Sequence, residues 1–180
     1  IVLGCAAPAV AKDWTVDYAK SHLGFSGKQS GVAFDGQFKK FDVTINFDPD
    51  HPEVGKIKAV IDIASITAND KERDAYLPQS DWFDSSEFPQ AVFQSTSIKH
   101  DPQGNSTEDA EFVMFLATGT LTIKGIAKPV ILPFDITKDG DHSVATGKLS
   151  LLRTDYTIGT GQWASDNHVS HDVDVTFSIV

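Results

Sequence analysis

Phe41-Asp42-Val43-Thr44-Ile45-Asn46-Phe47 places an apolar side chain at every odd position and a polar one at every even position. This is the period-2 alternation of a strand with one buried face, and Asp48-Pro49-Asp50-His51-Pro52 ends it. Comparable runs rich in Val, Ile, Thr and Phe recur near 14–18, 21–28, 31–38, 55–66, 91–100, 112–124, 128–137, 143–153 and 171–180. They come too evenly for a helical bundle or a βαβ array. Asp101-Pro102-Gln103-Gly104-Asn105 and Lys138-Asp139-Gly140-Asp141 read as hairpin turns, and the chain as a whole reads as mostly β.

Two changes of parity interrupt the alternation. Trp14 and Val16 are even where Leu23 and Phe25 are odd; Phe34 and Phe38 are even where Phe41, Val43 and Ile45 are odd. A slip of one residue moves an apolar set to the other face unless a bulge or bend intervenes. The pattern therefore predicts a bend near Tyr18 to Lys20 and another near Lys39-Lys40, as in strands that close a barrel. Two separate strands joined by a tight link would give the same parity. One segment breaks the β pattern: residues 67–78 combine good helix formers, an Asn or Asp cap candidate and a terminating Pro78, which predicts a helix of about two turns. Ser80-Asp81-Trp82-Phe83-Asp84 could add a further turn that sets Trp82 and Phe83 beside the body of the fold.

The chain has 180 residues, 41% of them hydrophobic and 22% charged, which excludes disorder, collagen and coiled coil and suits one globular domain. A domain of this size builds a core without a disulfide or metal. Fifteen Lys and Arg against 25 Asp and Glu give a net charge of −10, a field that repels nucleic acid and anionic bilayers. The one cysteine, Cys5, lies in the apolar opening, so the folded part is expected to carry no cysteine chemistry. Residues 1–11 read as the remnant of a secretory signal peptide with Ala9-Val10-Ala11 as its cleavage site. That predicts a periplasmic or secreted bacterial protein with a single domain over 12–180. Val2-Leu3-Gly4-Cys5 also admits a lipoprotein signal with a lipid anchor on Cys5; the alternative of a hydrophobic first strand is disfavoured by the Ala and Pro content and the lack of period-2 alternation. No other apolar run approaches the roughly 20 residues of a membrane span.

Motifs for chemistry are sparse. Gly159-x-Gly161-x-x-Ala164 matches a dinucleotide fingerprint on paper, but no βαβ unit can follow it, so it reads as a loop. His168 and His171, flanked by Asp166 and Asp172, are spaced so that a strand would point their rings to opposite faces. Ser21-His22 lacks a nucleophile elbow, and Asp81, Asp84 and Glu87 read as a solvated face in so acidic a chain. Asn105-Ser106-Thr107 is a glycosylation sequon. No enzyme, metal or cofactor is expected. The 12 Phe and 3 Trp could fill a solid core or line an apolar cavity.

Several of these residues form an ordered set. Trp14-x-Val16-Asp17 is followed by Ser21 and Phe25, then by Gly36-x-Phe38-x-x-Phe41 leading into Ile45-x-Phe47-Asp48-Pro49. Asn69, Arg73-Asp74 and Leu77 precede Asp81-Trp82-Phe83 and Phe88-Pro89-x-Ala91-x-Phe93. Gly119-x-Leu121-Thr122-Ile123-Lys124-Gly125 with Pro129-Val130, Arg153-x-Asp155-Tyr156 with Ile158-Gly159, and Trp163 complete the order. From about Trp14 to Val180 the chain resembles the YceI-like family of exported lipid-binding proteins, also called polyisoprenoid-binding. Two positions depart from that pattern: Lys20, where many members carry His, and Thr157, where a Gly often follows the aromatic residue.

The resemblance implies a lipocalin-like antiparallel β-barrel of about eight strands with a short inserted helix near residues 69–78. Its interior would hold, without catalysis, a long-chain apolar ligand: a polyisoprenoid, an isoprenoid quinone precursor or a fatty-acid-like lipid. Transport, storage or sequestration outside the cytoplasm would be the role, and a homodimer is suggested. On that basis Phe25, Phe34, Phe38, Ile45, Ile61, Trp82, Phe83, Phe93, Leu121, Phe134 and Trp163 are expected on the cavity wall. Asn69, Arg73 and Arg153 are candidates for the ligand head group, although the two arginines could instead pair bidentately with Asp74 or Asp155. An extracytoplasmic interaction or stress-response protein with a filled barrel, and a lipid-modifying enzyme, are the competing readings.

Overall fold

The two parity changes fall where the chain passes from one end of a curled sheet to the other. In a computed structural model, which describes residues 11–102 and 112–180, the alternating runs become strands β1 (Lys12–Trp14), β2 (His22–Gln29), β3 (Val32–Phe38), β4 (Phe41–Phe47), β5 (Lys56–Asp62), β6 (Ile66–Thr67), β7 (Gln90–His100), β8 (Phe112–Ile123), β9 (Ile126–Asp139), β10 (His142–Leu152) and β11 (Asp172–Ile179). All pair antiparallel in one sheet of order β1-β4-β5-β7-β8-β9-β10-β11-β2-β3-β6. β3 and β4 lie near opposite ends of this ladder, yet only Lys39 and Lys40 separate them. Three peptide units reach about 11 Å at most, so the two ends of the sheet must approach each other and the sheet must curl. The passage from β1 to β2 crosses the same seam.

At both expected bends the chain turns between separate strands, the linked-strand alternative: residues 15–21, with a turn at 18–20, join β1 to β2, and Lys39-Lys40 join β3 to β4. At the first, Tyr18 Oη accepts from the Val43 amide at 3.1 Å. At the second, the Lys39 and Lys40 amides donate to the Ser65 carbonyl at 3.2 Å and the Ser65 hydroxyl at 3.0 Å. The strand count differs from expectation: eleven rather than about eight. Counting β3 and β4, only two residues apart, once and setting aside three-residue β1 and two-residue β6 leaves eight long segments. Strands that short leave no periodic signature. The run expected over 55–66 is also broken, by a 3-10 turn at Ile63–Ser65 where the Asp62 carboxylate accepts from the Ala64 amide at 3.0 Å.

Helix α1 (Lys71–Tyr76) stands where a helix was expected, capped by Asp70. Residues 80–84 form turns rather than another helical turn. The β9–β10 hairpin turns at Gly140, whose φ of +59° suits glycine. The other expected hairpin lies partly outside the described residues, as do residues 1–10 with Cys5 and the sequon at 105–107. Among the described residues no helix is long and apolar enough to cross a membrane.

Part of the interior is solid. Phe47, Phe115 and Phe134 pack ring on ring at centroid distances of 5.1, 5.3 and 5.9 Å and are all buried. A second buried cluster forms around Ile61, Ile63 and Ala91, and beside these packed regions the interior leaves a cavity.

Candidate ligand-binding cavity

The inward faces of the curled sheet enclose a cavity of about 380 Å³, within the roughly 300–1,000 Å³ typical of small-ligand sites. All eleven residues expected on its wall lie there. Whole parity sets line it as well: Phe41 and Val43 with Ile45 on β4, and Val173, Val175 and Phe177 on β11. The β11 residues are not among those expected on the wall, although the same alternation marks them. Space is opened locally by Gly36, which pairs with Phe25 across β2 and β3. A Cβ at Gly36 would collide with the Phe25 ring, so this glycine lets an aromatic side chain lie flat over the strand.

Helix α1 covers one end of the cavity. The Asp70 carboxylate accepts from the amides of Glu72 and Arg73, both at 3.0 Å. The Arg73 amide holds that carboxyl below its ordinary value, as a cap that binds orphan helical donors does. Arg73, Tyr76 and Leu77, spaced i, i+3 and i+4, line the cavity together. The Arg73 guanidinium sits 4.9 Å from the Phe34 ring centroid and donates to Gln29 Oε1 at 3.1 Å and the Ala68 carbonyl at 3.4 Å. It does not pair with Asp74, whose oxygens accept instead from Thr67 Oγ1 at 2.7 Å and the Ala68 amide at 2.6 Å. The Tyr76 ring packs on Trp163, and Trp163 on Trp82, at 5.1 and 5.8 Å.

Asn69 is not on the cavity wall. It occupies the left-handed region at φ +56° and donates from Nδ2 to the Asp35 carbonyl at 3.3 Å. Asparagine tolerates that backbone better than most residues, so its role is to turn the chain into α1.

Arg153 lines the cavity but is buried. Its Nε donates to the carbonyl of Ser170 at 3.0 Å, Nη1 to Ile158 and Gly159 at 2.7 and 2.8 Å, and Nη2 to Trp163 and Val169 at 2.7 and 2.8 Å. A guanidinium has five N–H groups, and all five are used on backbone oxygen. The pairing with Asp155 does not form: Asp155 is exposed and lies 3.9 Å from Lys128 Nζ. Burial lowers the Arg153 pKa, and the charge of Asp166 partly restores it.

The Gly159-x-Gly161 segment is a loop, as expected. Gly159, at φ +72°, has no room for a Cβ beside the Arg153 guanidinium. Its amide and that of Thr160 donate to the Asp81 carbonyl at 2.7 and 2.8 Å, so Asp81 latches the loop to the turn carrying Trp82. His171 holds its Nε2 2.8 Å from the Ala164 carbonyl. Loop, helix and the Trp82 turn thus form one lid-like layer over the sheet's apolar interior.

Known proteins share this fold. BcnA of Burkholderia cenocepacia superposes with a TM-score of 0.82 at 34% identity, over 92% of this chain and 98% of that one. A polyisoprenoid binding domain from Saccharophagus degradans shares the fold with a TM-score of 0.68 at 15% identity, over 95% of this chain and 97% of that one. Protein YceI of Escherichia coli O157:H7 is 31% identical over 97% of this chain and 88% of its own length. The UPF0312 protein plu2095 of Photorhabdus laumondii is 33% identical over 75% of this chain and 67% of its own. The family model described as the YceI-like domain matches residues 14–180, and the chain belongs to the YceI-like family.

Proposed function

We propose that this protein binds a long-chain apolar lipid, a polyisoprenoid, an isoprenoid quinone precursor or a fatty-acid-like molecule, inside the sheet and does no chemistry on it. The apolar cavity of about 380 Å³ carries this reading, because a solid barrel would leave no such space. The polyisoprenoid binding of the Saccharophagus degradans domain supports it by likeness of fold. Transport, storage or sequestration outside the cytoplasm is the corresponding role, supported by the signal-like residues 1–11. The homodimer suggested by the resemblance belongs to the same proposal.

Native mass spectrometry of detergent-free protein, followed by organic extraction, tests it. A stoichiometric co-purifying isoprenoid or acyl compound is expected, and the native mass reports the oligomeric state. Phe38→Asp should abolish lipid uptake while Lys138→Ala leaves it intact. An empty protein that refuses added prenyl and acyl lipids would defeat the proposal in favour of an interaction protein.

A further inference from the structure

Strands β9 and β10 separate halfway along the wall. Their register runs from His142↔Asp139 to Gly147↔Phe134 and stops there, while β9 stays paired with β8 as far as Ile123↔Ile126 and β10 with β11 as far as Leu152↔Asp172. Among the described residues no pair joins 126–133 to 148–152.

The sequence explains the break. In an antiparallel ladder the amides of alternate residues serve opposite neighbours. Pro129 and Pro133 share one parity, and both sit within the unbroken ladder to β8, so the donors they lack are those that would have faced β10. Continuing the register would set Ile131 opposite Ser150. Both carry an N–H and still do not pair, so the missing proline donors are not the whole of the break.

The outer rim of this boundary is apolar. Ile131 is 57% and Leu152 44% exposed, and Pro129 is exposed as well. The polar side chains of β10 are drawn the other way, since Lys148 and Ser150 both engage Asp174 on β11, at 2.8 and 2.6 Å. On the inner face of the same two segments, Leu132, Leu149 and Leu151 line the cavity. Across the boundary the Lys128 ammonium lies 3.9 Å from Asp155, with both side chains about half exposed, a pair of little strength. Other routes carry charge: Asp70, Glu72 and Arg73 line the cavity at its α1 end, and Lys39, Lys40 and Asp42 line a surface pocket at the β3–β4 crossing. An apolar tail sliding past those groups would strip water from them.

We propose that the boundary between residues 126–133 and 148–152 is a lateral portal through which the ligand's apolar tail enters and leaves the cavity. The inference rests on the lipid-binding reading and adds the route. Parting the strands there breaks no ladder pair, and the pairs from His142 to Gly147 keep them joined at the other end, so the sheet's girth is unchanged.

The test joins Ile131→Cys and Ser150→Cys, in a chain carrying Cys5→Ala, with a short reducible bis-methanethiosulfonate linker. Stopped-flow fluorescence follows uptake of cis-parinaric acid and of dansyl-labelled farnesol by delipidated protein, and their release into excess phosphatidylcholine vesicles. Linking should slow uptake and release by about tenfold or more and leave Kd within about twofold, and reduction should restore both rates. The same linker between Asp139→Cys and His142→Cys, in the paired half, should change neither rate. Ile131→Glu, which puts a charge on the exposed rim, should slow uptake about threefold or more. Parent rates in the protein linked at 131 and 150, or equal slowing by both linkers, would overturn the portal while sparing lipid binding. A delipidated parent protein that takes up neither probe would overturn both.

Discussion

Arg153 Nη2 donates to the carbonyl oxygen of Trp163 at 2.7 Å, and the Trp163 ring in turn lies between Tyr76 and Trp82. A buried charge held by backbone carbonyls, with no salt-bridged carboxylate among the described residues, thus organises the loop that covers the cavity. Five carbonyl dipoles replace the water that the guanidinium has lost, which is why the charged form survives burial.

Arg153→Lys keeps the charge and removes the planar fork. An ammonium offers three donors on a different stem, leaving buried carbonyls unpaired. The expected loss is about 3 kcal/mol or more of unfolding free energy, read by urea denaturation. A change below about 1 kcal/mol would mean that charge, rather than the five-bond geometry, holds the loop.

Thr157 is exposed and occupies the left-handed region at φ +52°, which costs a β-branched residue about 1–2 kcal/mol. The extra unfolded-state freedom of glycine offsets part of the gain. Thr157→Gly should therefore stabilise the protein by about 0.5–1 kcal/mol, visible as a raised thermal midpoint. Destabilisation would show that the threonine side chain holds the turn.

These sites also mark where sequence reading stops. Alternation is local, so Phe41 to Phe47 shows its buried face without any partner strand. The order of the ladder depends on distant pairings, yet the parity slips at Lys39-Lys40 and Tyr18 to Lys20 betray the seam because a single residue changes the face. Arg153 and Asp155 are near neighbours in sequence, which suggests a pair. The 3-10 turn at Arg153–Tyr156 instead exposes Asp155 and buries Arg153. The carbonyls that satisfy Arg153 come from residues 158–170, and backbone oxygen has no sequence signature. The polar side chain of Asn69 suggests a head-group contact, but its left-handed backbone explains the residue.

Phe38 and Phe134 both line the cavity, but Phe134 also packs into the solid aromatic cluster. Phe134→Ala should cost about 3–5 kcal/mol. Phe38→Ala, which enlarges space already open, should cost about 1–2 kcal/mol and shift preference toward bulkier lipids. Denaturation curves with lipid competition measure both; equal costs would contradict the division between solid and open interior.

On the outer face, Asp174 lies 2.8 Å from Lys148 Nζ and accepts from Ser150 Oγ at 2.6 Å. The hydrogen bond from Lys148, then that from Ser150, lowers its pKa below the ordinary value of 3.8. A lowered carboxyl pKa contributes stability that is present above 3.8 and is lost as the pH falls through the folded-state value. Asp174→Asn should therefore flatten stability against pH below about 4 and change neutral stability by at most about 1 kcal/mol. An acid limb identical to that of the parent protein in pH-resolved denaturation would exclude Asp174 as a contributor.

The Lys39–Lys40 crossing makes the sheet a hoop fastened by a clasp rather than a welded ring. Around most of the circumference, a wider guest would have to break rows of ladder hydrogen bonds. At the clasp, the chain itself carries the wall across, assisted by the few bonds of Ser65 and Tyr18. Under the proposed lipid binding, a thicker tail would therefore be accommodated at the clasp and not by loss of strand pairing.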